Sequence, residues 1–432
     1  MKNLETLIKN KKAKITIIGL GYVGLPLAVV LAEQGFRVFG FDVQKNKVKL
    51  VNQGHSYIAD ISSADLQGVL KSKKFSATTD KKILKLADVI IICVPTPLDK
   101  YKQPDITYIQ STVKEIARFI RKGQLIILES TTYPGTTREV ILPVLQKSGL
   151  KVGKDFFLAF SPERIDPGNQ KFNVRNVPKV VGGITPKCTK LTNLVYRSFL
   201  DKVFKVSSPE AAEMTKILEN TFRIVNVSMI NELALLCGKM GIDIWEVIEA
   251  AKTKPYGFMP FYPGPGIGGH CIPLDPFYLS WKAKEYGFYT RFIELGGEIN
   301  DQMPHFVVTK VISGLNQHKK SLNGAKILVW GVAYKKDVAD PRESASYHVI
   351  RDLWKKGANV EYFDPYIPEF KIDNKNLKSI EYQPKNLKHY DCVLILADHS
   401  NLNYDEVAKK SLLVVDTRNA IKNRKFKNVL WL

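Results

Sequence analysis

The stretch that most limits what this chain can fold into runs from Lys14 to Asp42. Lys14-Ile-Thr-Ile-Ile18 is a short apolar run with strand character. It leads into Gly19-Leu-Gly21-Tyr22-Val23-Gly24 and then a helical pattern over 25–34. A second apolar run, Arg37-Val-Phe-Gly-Phe41, ends at Asp42. The glycine spacing alone specifies little, but strand, G-x-G-x-x-G, helix, strand and acid in that order specify a dinucleotide-binding βαβ unit. The first glycine makes the tight turn, the second admits a pyrophosphate, and the third lets helix pack on strand. Phosphate is favoured at the helix N-terminus. Asp42 is placed to accept hydrogen bonds from a ribose diol and to repel a 2′-phosphate, which favours NAD over NADP. The stretch therefore predicts an NAD site over Gly19, Gly21, Tyr22, Val23, Gly24 and Asp42.

Further α/β units follow. Asp88–Val94, Gln124–Leu128 and Asp155–Phe160 read as buried strands, each ending in a polar turn. In a doubly wound sheet ligands bind beyond the strand C-termini. That makes Thr96, Thr131, Glu163 and the adjoining Arg164 site candidates; the bland alternative for each is a turn or capping residue. From Ser208 to about Met240 the pattern becomes one long helix, apolar nearly all round and so read as central. Glu213, Lys216 and Asn220 share one stripe of it. A lysine and an asparagine one turn apart can stabilise an oxyanion.

The most unusual stretch is Phe261-Tyr262-Pro-Gly-Pro-Gly-Ile-Gly268-Gly-His-Cys271-Ile-Pro-Leu-Asp275-Pro276. Its four glycines offer more backbone freedom than a folded core needs, so it reads as a loop wrapping a ligand and delivering one thiol, Cys271. Asp275-Pro276 reads as the N-cap and first position of a helix, whose dipole favours a thiolate nearby. A helix from Ile293 to about Gln317 is predicted to break near Pro304. The opening architecture then recurs: Ala325–Gly331 echoes Ala13–Gly19, Phe363-Asp364 echoes Phe41-Asp42, and Asp391–Leu396 echoes Asp88–Cys93. The second copy lacks G-x-G-x-x-G and carries Lys335 and Arg342 in its place, suited to a second nucleotide.

The predicted fold class is α/β: two Rossmann-like, doubly wound parallel-sheet domains joined by a central helical domain with a long connecting helix. A chain of 432 residues exceeds one core. Its five cysteines include no C-x-x-C pair, and His270 beside Cys271 is not a metal signature, so no metal and a reducing, cytoplasmic compartment are expected. No apolar run is long enough to span a bilayer. The 64 Lys and Arg outnumber the 42 Asp and Glu, but they are scattered without a nucleic-acid motif, so no nucleic-acid partner is expected.

The motifs GLGYVGLP, VPTP, EST, SPER, EMTKILENTFR, GGHCIPLDP and AYKKDVADPRES together resemble the UDP-glucose/GDP-mannose dehydrogenase family over nearly the whole chain. The resemblance implies oxidation of a sugar CH2OH to a carboxylate in two hydride transfers to NAD, through a thiohemiacetal and a thioester. It implies an NAD-binding domain over 1–206, a central helical and dimerisation domain with the cysteine loop over 207–303, and a UDP-sugar-binding domain over 304–432. Carried over by position, Cys271 matches the nucleophile, Lys216 and Asn220 the alkoxide-stabilising pair, and Asp275 and Thr131 a water network. Glu163 matches the acid of thioester hydrolysis, and Arg342 a residue near the dinucleotide. Arg164, Tyr262, Gly268, Lys335 and Arg418 match the nucleotide-sugar site, and a homodimer or higher homo-oligomer is implied. Pro167 stands where UDP-glucose enzymes commonly carry a second glutamate. The SPERxxPG form resembles the branch acting on UDP-N-acetylhexosamines, with the glucosamine form nearest and the mannosamine and galactosamine epimers open. Two rival classes are a two-electron 3-hydroxyacid or phosphogluconate dehydrogenase, which has no use for the cysteine loop, and a basic nucleic-acid-binding protein.

Overall fold

The computed structural model describes every residue except 1, 2, 59, 100, 167, 168, 170, 270 and 271. The chain divides into an N-terminal unit, Met1–Glu219 with Phe277–Phe288, and a C-terminal unit, Asn220–Pro276 with Tyr289–Leu432.

The N-terminal unit is built on eight strands: β1 (Lys14–Ile18), β2 (Arg37–Phe41), β3 (Phe75–Thr78), β4 (Val89–Ile92), β5 (Leu125–Leu128), β6 (Phe157–Phe160), β7 (Lys179–Gly183) and β8 (Val203–Lys205). Their order is β3-β2-β1-β4-β5-β6-β7-β8. The first six are parallel, and the order reverses between β1 and β4, the switch point at which such sheets bind dinucleotides. Successive side chains alternate between faces, and here both faces are covered. Ile15, Ile17, Ile91 and Ile127 enter one core; Ile18, Ile90, Ile92 and Ile126 enter another. This is why the strands read as unbroken apolar runs. The sheet departs from the parallel arrangement at one place: β7 runs antiparallel to β6. The described residues of 161–178 contain no helix, so the chain makes no crossover of the kind parallel pairing requires.

The C-terminal unit carries a second sheet. Its strands are β9 (Lys326–Trp330) and β10 (Asn359–Phe363), then the hairpin β11 (Glu369–Ile372) and β12 (Lys375–Lys378), then β13 (Cys392–Ile395), β14 (Val414–Asp416) and β15 (Val429–Trp431). The sheet order is β10-β9-β13-β14-β15, all parallel, with the hairpin apart. The sequence echo is a three-dimensional one. Gly19 donates its N–H to the Phe41 carbonyl at 2.8 Å, and Gly331 does the same to Phe363 at 2.8 Å. Asp88 anchors the Lys14 N–H at 2.9 Å, and Asp391 anchors that of Lys326 at 2.8 Å. A Cβ on Gly19 would lie 2.5 Å from the Cys93 carbonyl oxygen, and one on Gly331 would lie 2.6 Å from Ala397 Cβ. Both glycines, at positive φ, let the chain turn against the neighbouring strand end at the switch point.

The long helix spans Pro209–Met240. Its all-round apolar character has two sources. Ile217, Ile224, Ile230 and Ala234 are buried, whereas Leu218, Phe222, Met229, Leu233, Leu236 and Met240 are exposed. Within one chain the helix therefore carries one buried and one exposed apolar face. The predicted break at Pro304 does not occur either. The helix Arg291–Gln317 runs through it, with Pro304 buried among Met303, Val307 and Val308. Packing outweighs the lost N–H.

Candidate functional site

In the N-terminal unit the candidate groups follow adjacent strand ends. Gly19–Gly24 follows β1, Thr96 follows β4, Thr131 follows β5 and Glu163 follows β6. Of the three fingerprint glycines, two are required by the protein's own packing. A Cβ on Gly19 would press on Cys93, and one on Gly24 would collide with the Gly19 carbonyl. Gly21 is different, because a Cβ there would meet nothing within 4 Å. Folding does not explain its identity; the close approach of a ligand does. The helix Gly24–Glu33 begins here with no side-chain cap, Leu25 and Leu27 donating to the Gly21 and Val23 carbonyls and Pro26 having no N–H to satisfy, and the positive end of its dipole lies at this loop. Asp42 is buried. Its Oδ2 accepts the Leu20 N–H at 2.9 Å and its Oδ1 the Gln44 N–H at 2.8 Å, so each oxygen keeps a lone pair for a ribose hydroxyl. Tyr22 is exposed and Val23 half-buried at the mouth of the loop. These residues fit NAD. The Thr96 loop is tied down by Tyr278, whose hydroxyl donates to the Thr96 carbonyl.

Glu163 belongs to a buried ionic cluster that sequence reading missed. Lys179 Nζ lies 2.9 Å from Glu129 Oε2 and 3.1 Å from Glu163 Oε2. The Tyr196 hydroxyl donates to Glu129 Oε1. Burial pushes the Glu129 carboxyl up. Burial works the same way on Glu163, but attraction to Lys179 and two backbone N–H groups outweigh it and hold that carboxyl below its usual range. The overlooked signal was a lysine inside the apolar run Val177-Pro-Lys-Val-Val181. The Arg164 guanidinium is committed internally, donating to the Pro178 carbonyl at 2.8 Å and pairing with Glu219 at 2.5 Å.

The stripe on the long helix is not a solvated face. Glu213 is fully buried and accepts the N–H groups of Gly135 (2.6 Å) and Thr137 (2.9 Å) and the Thr137 hydroxyl (2.7 Å). It thereby fixes the turn that follows Thr131; burial raises its carboxyl to about 7. Lys216 is 6% exposed and has no ion-pair partner among the described residues. A buried ammonium without a counterion is costly, so the position is suited to an anion brought by a ligand.

In the C-terminal unit, Asn220 donates from Nδ2 to Asp275 Oδ2 at 2.6 Å, both buried. Asp275 is the first residue of the helix Asp275–Ala283. The glycine loop approaching it was expected to be free of core demands. Its glycines instead sit in close packing against the C-terminal sheet's loops. A Cβ on Gly264 would lie 2.6 Å from Arg418 Nη1, one on Gly268 2.8 Å from the Glu343 carbonyl oxygen, and one on Gly269 3.0 Å from the Tyr334 ring. Arg418 Nε donates to the Leu396 carbonyl at 2.8 Å. Tyr262 stacks on Trp245 and donates to Glu249 at 2.7 Å. Lys335 is half-buried on the loop after β9. Arg342, on the same loop, forms an exposed bidentate pair with Asp340, at 2.8 and 2.7 Å. That loop is held by Asp337, whose N–H donates to His399 Nδ1 at 3.0 Å and whose carboxylate accepts from Ser400. Asp364, the counterpart of Asp42, accepts from Val332, Ala333, Tyr366, Ile367 and His399. Its lone pairs are spent on the fold, so the second unit lacks a ribose-binding acid at this position. Cys271, His270 and Pro167 lie outside the described residues. No group of three or more His, Cys, Asp or Glu side chains suited to a metal occurs among the described residues. No helix among them is long and apolar enough to cross a membrane.

Three family models match in succession. The NAD binding domain of the UDP-glucose/GDP-mannose dehydrogenase family matches residues 13–200, its central domain 210–302 and its UDP binding domain 328–423. The UDP-N-acetyl-D-glucosamine 6-dehydrogenase of Pseudomonas aeruginosa is 38% identical over 83% of this chain and 84% of its own. The UDP-N-acetyl-D-mannosamine dehydrogenase of Methanococcus maripaludis is 34% identical over 96% of this chain and 94% of its own. Among solved structures, the UDP-D-ManNAc dehydrogenase of Pyrococcus horikoshii superposes with a TM-score of 0.88 at 31% identity, covering 97% of this chain and 98% of that one.

Proposed function

We propose, from the premise that this chain belongs to the UDP-glucose/GDP-mannose dehydrogenase family, that it oxidises C6 of a UDP-N-acetylhexosamine, UDP-N-acetyl-D-glucosamine first, to the uronate. At the coarser level the chain is an NAD-dependent UDP-sugar 6-dehydrogenase. The N-acetylhexosamine class is supported by the SPERxxPG form of the 161–168 stretch, and the glucosamine form by the Pseudomonas aeruginosa relative. The mannosamine relatives make the epimer the point to test.

NAD, when bound, accepts a hydride in each of the two oxidations. The chain's own residues do the rest. Lys216 and Asn220, four residues apart on the long helix, stabilise the alkoxide as the sugar hydroxyl loses its proton. The Cys271 thiolate adds to the aldehyde, and the resulting thiohemiacetal is oxidised to a thioester without release of the aldehyde. Asp275, hydrogen-bonded to Asn220, fixes that amide with its other N–H toward the oxyanion, and Thr131 orders water. Glu163 takes a proton from the water that hydrolyses the thioester. Asp42 holds the ribose of NAD; Lys335 and Arg418 hold the UDP moiety. The observation that carries this reading is Lys216, buried with no ion-pair partner among the described residues.

The exposed stripe Phe222, Met229, Leu233, Leu236 and Met240 recurs at helical spacing along one face. It supports a homodimer formed through the long helix. Cys93, Cys188, Cys237 and Cys392 are free thiols, which fits a reducing, cytoplasmic compartment. The test of substrate is a panel of UDP-N-acetylglucosamine, its mannosamine and galactosamine epimers, and UDP-glucose, assayed for NAD reduction. The highest kcat/KM is expected for the glucosamine form; a preference of more than tenfold for another sugar overturns that assignment.

A further inference from the structure

Lys179 opens β7 in a stretch, Val177-Pro-Lys-Val-Val-Gly-Gly183, that otherwise has no charge. All three protons of its buried ammonium meet acceptors: Glu129 Oε2 at 2.9 Å, Glu163 Oε2 at 3.1 Å and the Pro162 carbonyl at 3.3 Å. Behind it, Glu129 Oε1 accepts from Tyr196, and the ammonium lies 5.2 Å from the centre of the Tyr196 ring. Glu163 Oε1 accepts the N–H groups of Arg164 and Ile165 at 2.6 and 2.9 Å. A carboxylate offers roughly four lone-pair sites. With its two backbone donors and Lys179 counted, Glu163 keeps one, on Oε2. Side-chain exposure is 0% for Glu129, 4% for Lys179 and 11% for Glu163, so the cluster meets solvent through Glu163. Stability does not require such a cluster, because well-packed apolar replacements of buried ion pairs are often neutral or stabilising.

We propose that Lys179, braced by Glu129 and Tyr196, is a positioning residue that holds Glu163 with a single open lone pair for the water that cleaves the thioester. The inference rests on the assignment of Glu163 as the base of that step. The proton of water passes to Glu163 Oε2, the water oxygen bonds to the acyl carbon, the C–S bond breaks, and sulfur leaves as the Cys271 thiolate. No electrons are exchanged and no further reactant is needed.

The titratable groups around Glu163 are Cys93 after β4, Glu129 after β5, Lys179 on β7 and Tyr196 at the end of the helix Pro186–Tyr196. The Arg164 guanidinium is engaged by Pro178 and Glu219. Lys179 therefore favours ionised Glu163, and the Glu129 charge opposes it. Removing each should move the proton affinity of Glu163 in opposite directions, a pattern that a merely structural role does not produce.

The experiment measures the pH dependence of acid release by rapid quench, and the acyl-enzyme level by intact mass, using the full chain with NAD and its best UDP-sugar. Lys179→Met should move the acid limb up by about one pH unit or more, lower kcat at neutral pH at least tenfold with KM within twofold, and accumulate acyl-enzyme. Lys179→Arg should restore the limb. Glu129→Gln, which keeps the Lys179–Glu163 pair and so the fold, should move the limb down; it carries the test if Lys179→Met does not fold. Limbs that stay fixed, or that move the same way in both variants, overturn the inference. Glu163→Gln separates the two levels. If it keeps normal turnover and the normal limb, the assignment of Glu163 as base falls. If it loses the limb while the Lys179 and Glu129 variants keep theirs, the positioning role alone falls.

Discussion

Replacing Lys216 by methionine should make the protein more stable and nearly inactive. The side chain is 6% exposed, and among the described residues no carboxylate balances it. The effective cost of an unpaired buried ion is several kcal/mol even after relaxation. Methionine keeps most of the volume and adapts to irregular gaps. Allowing for the residual solvation of a partly reachable ammonium, the gain should be about 1–3 kcal/mol. The same change removes the cation proposed to stabilise the alkoxide. Loss of one oxyanion donor typically lowers kcat by about 10²–10³, or about 3–4 kcal/mol of transition-state stabilisation. Urea unfolding with an unchanged m-value gives the first number, and steady-state NADH formation gives the second. A variant that loses both stability and activity would show that Lys216 is structural, and the reasoning from its missing counterion would be wrong.

The fingerprint glycines should separate in the same manner. Gly21→Ala should leave stability within about 1 kcal/mol while raising KM for NAD at least tenfold, whereas Gly19→Ala, which presses on the Cys93 carbonyl at positive φ, should lower the unfolding midpoint sharply. Burial raises the Glu213 carboxyl from 4.5 to about 7, so the folded state binds that proton more tightly than the unfolded chain. Its contribution is fully present below pH 4.5 and is lost as pH rises to 7, about 3 kcal/mol in all. Glu213→Gln should flatten the fall in unfolding free energy over that window, and an unchanged slope would refute the assignment. Leu233→Asp with Leu236→Asp should convert a dimer to monomer in sedimentation velocity; an unaltered dimer would place the interface elsewhere.

The strands and the dinucleotide turn were legible because each rests on local chemistry. Continuous apolar runs mark strands covered on both faces, and G-x-G-x-x-G marks a turn whose steric demands lie within a few residues. β1 and β2 were read to the residue for that reason. The antiparallel β7 was not legible, because strand direction is set by the missing crossover rather than by β7 itself. Pro304 misled because an intrinsic helix-breaking cost was outweighed by burial among Met303, Val307 and Val308. The close packing of the glycine loop was not legible either, because Arg418, Glu343 and Tyr334, which lie 2.6–3.0 Å from a Cβ built at Gly264, Gly268 and Gly269, come from far along the chain. The Lys179 cluster was missed for the same reason: its members are 16 and 50 residues apart in sequence, and only the fold joins them.

The claim on which the account depends is a covalent acyl intermediate on Cys271 that links two oxidations. Its most direct test is the number of NADH molecules formed per UDP-sugar consumed, followed to completion with wild type and with Cys271→Ala. Wild type should give two NADH and one uronate per sugar, and the variant no uronate. One NADH per sugar, or uronate formed at the wild-type rate without the thiol, would contradict it.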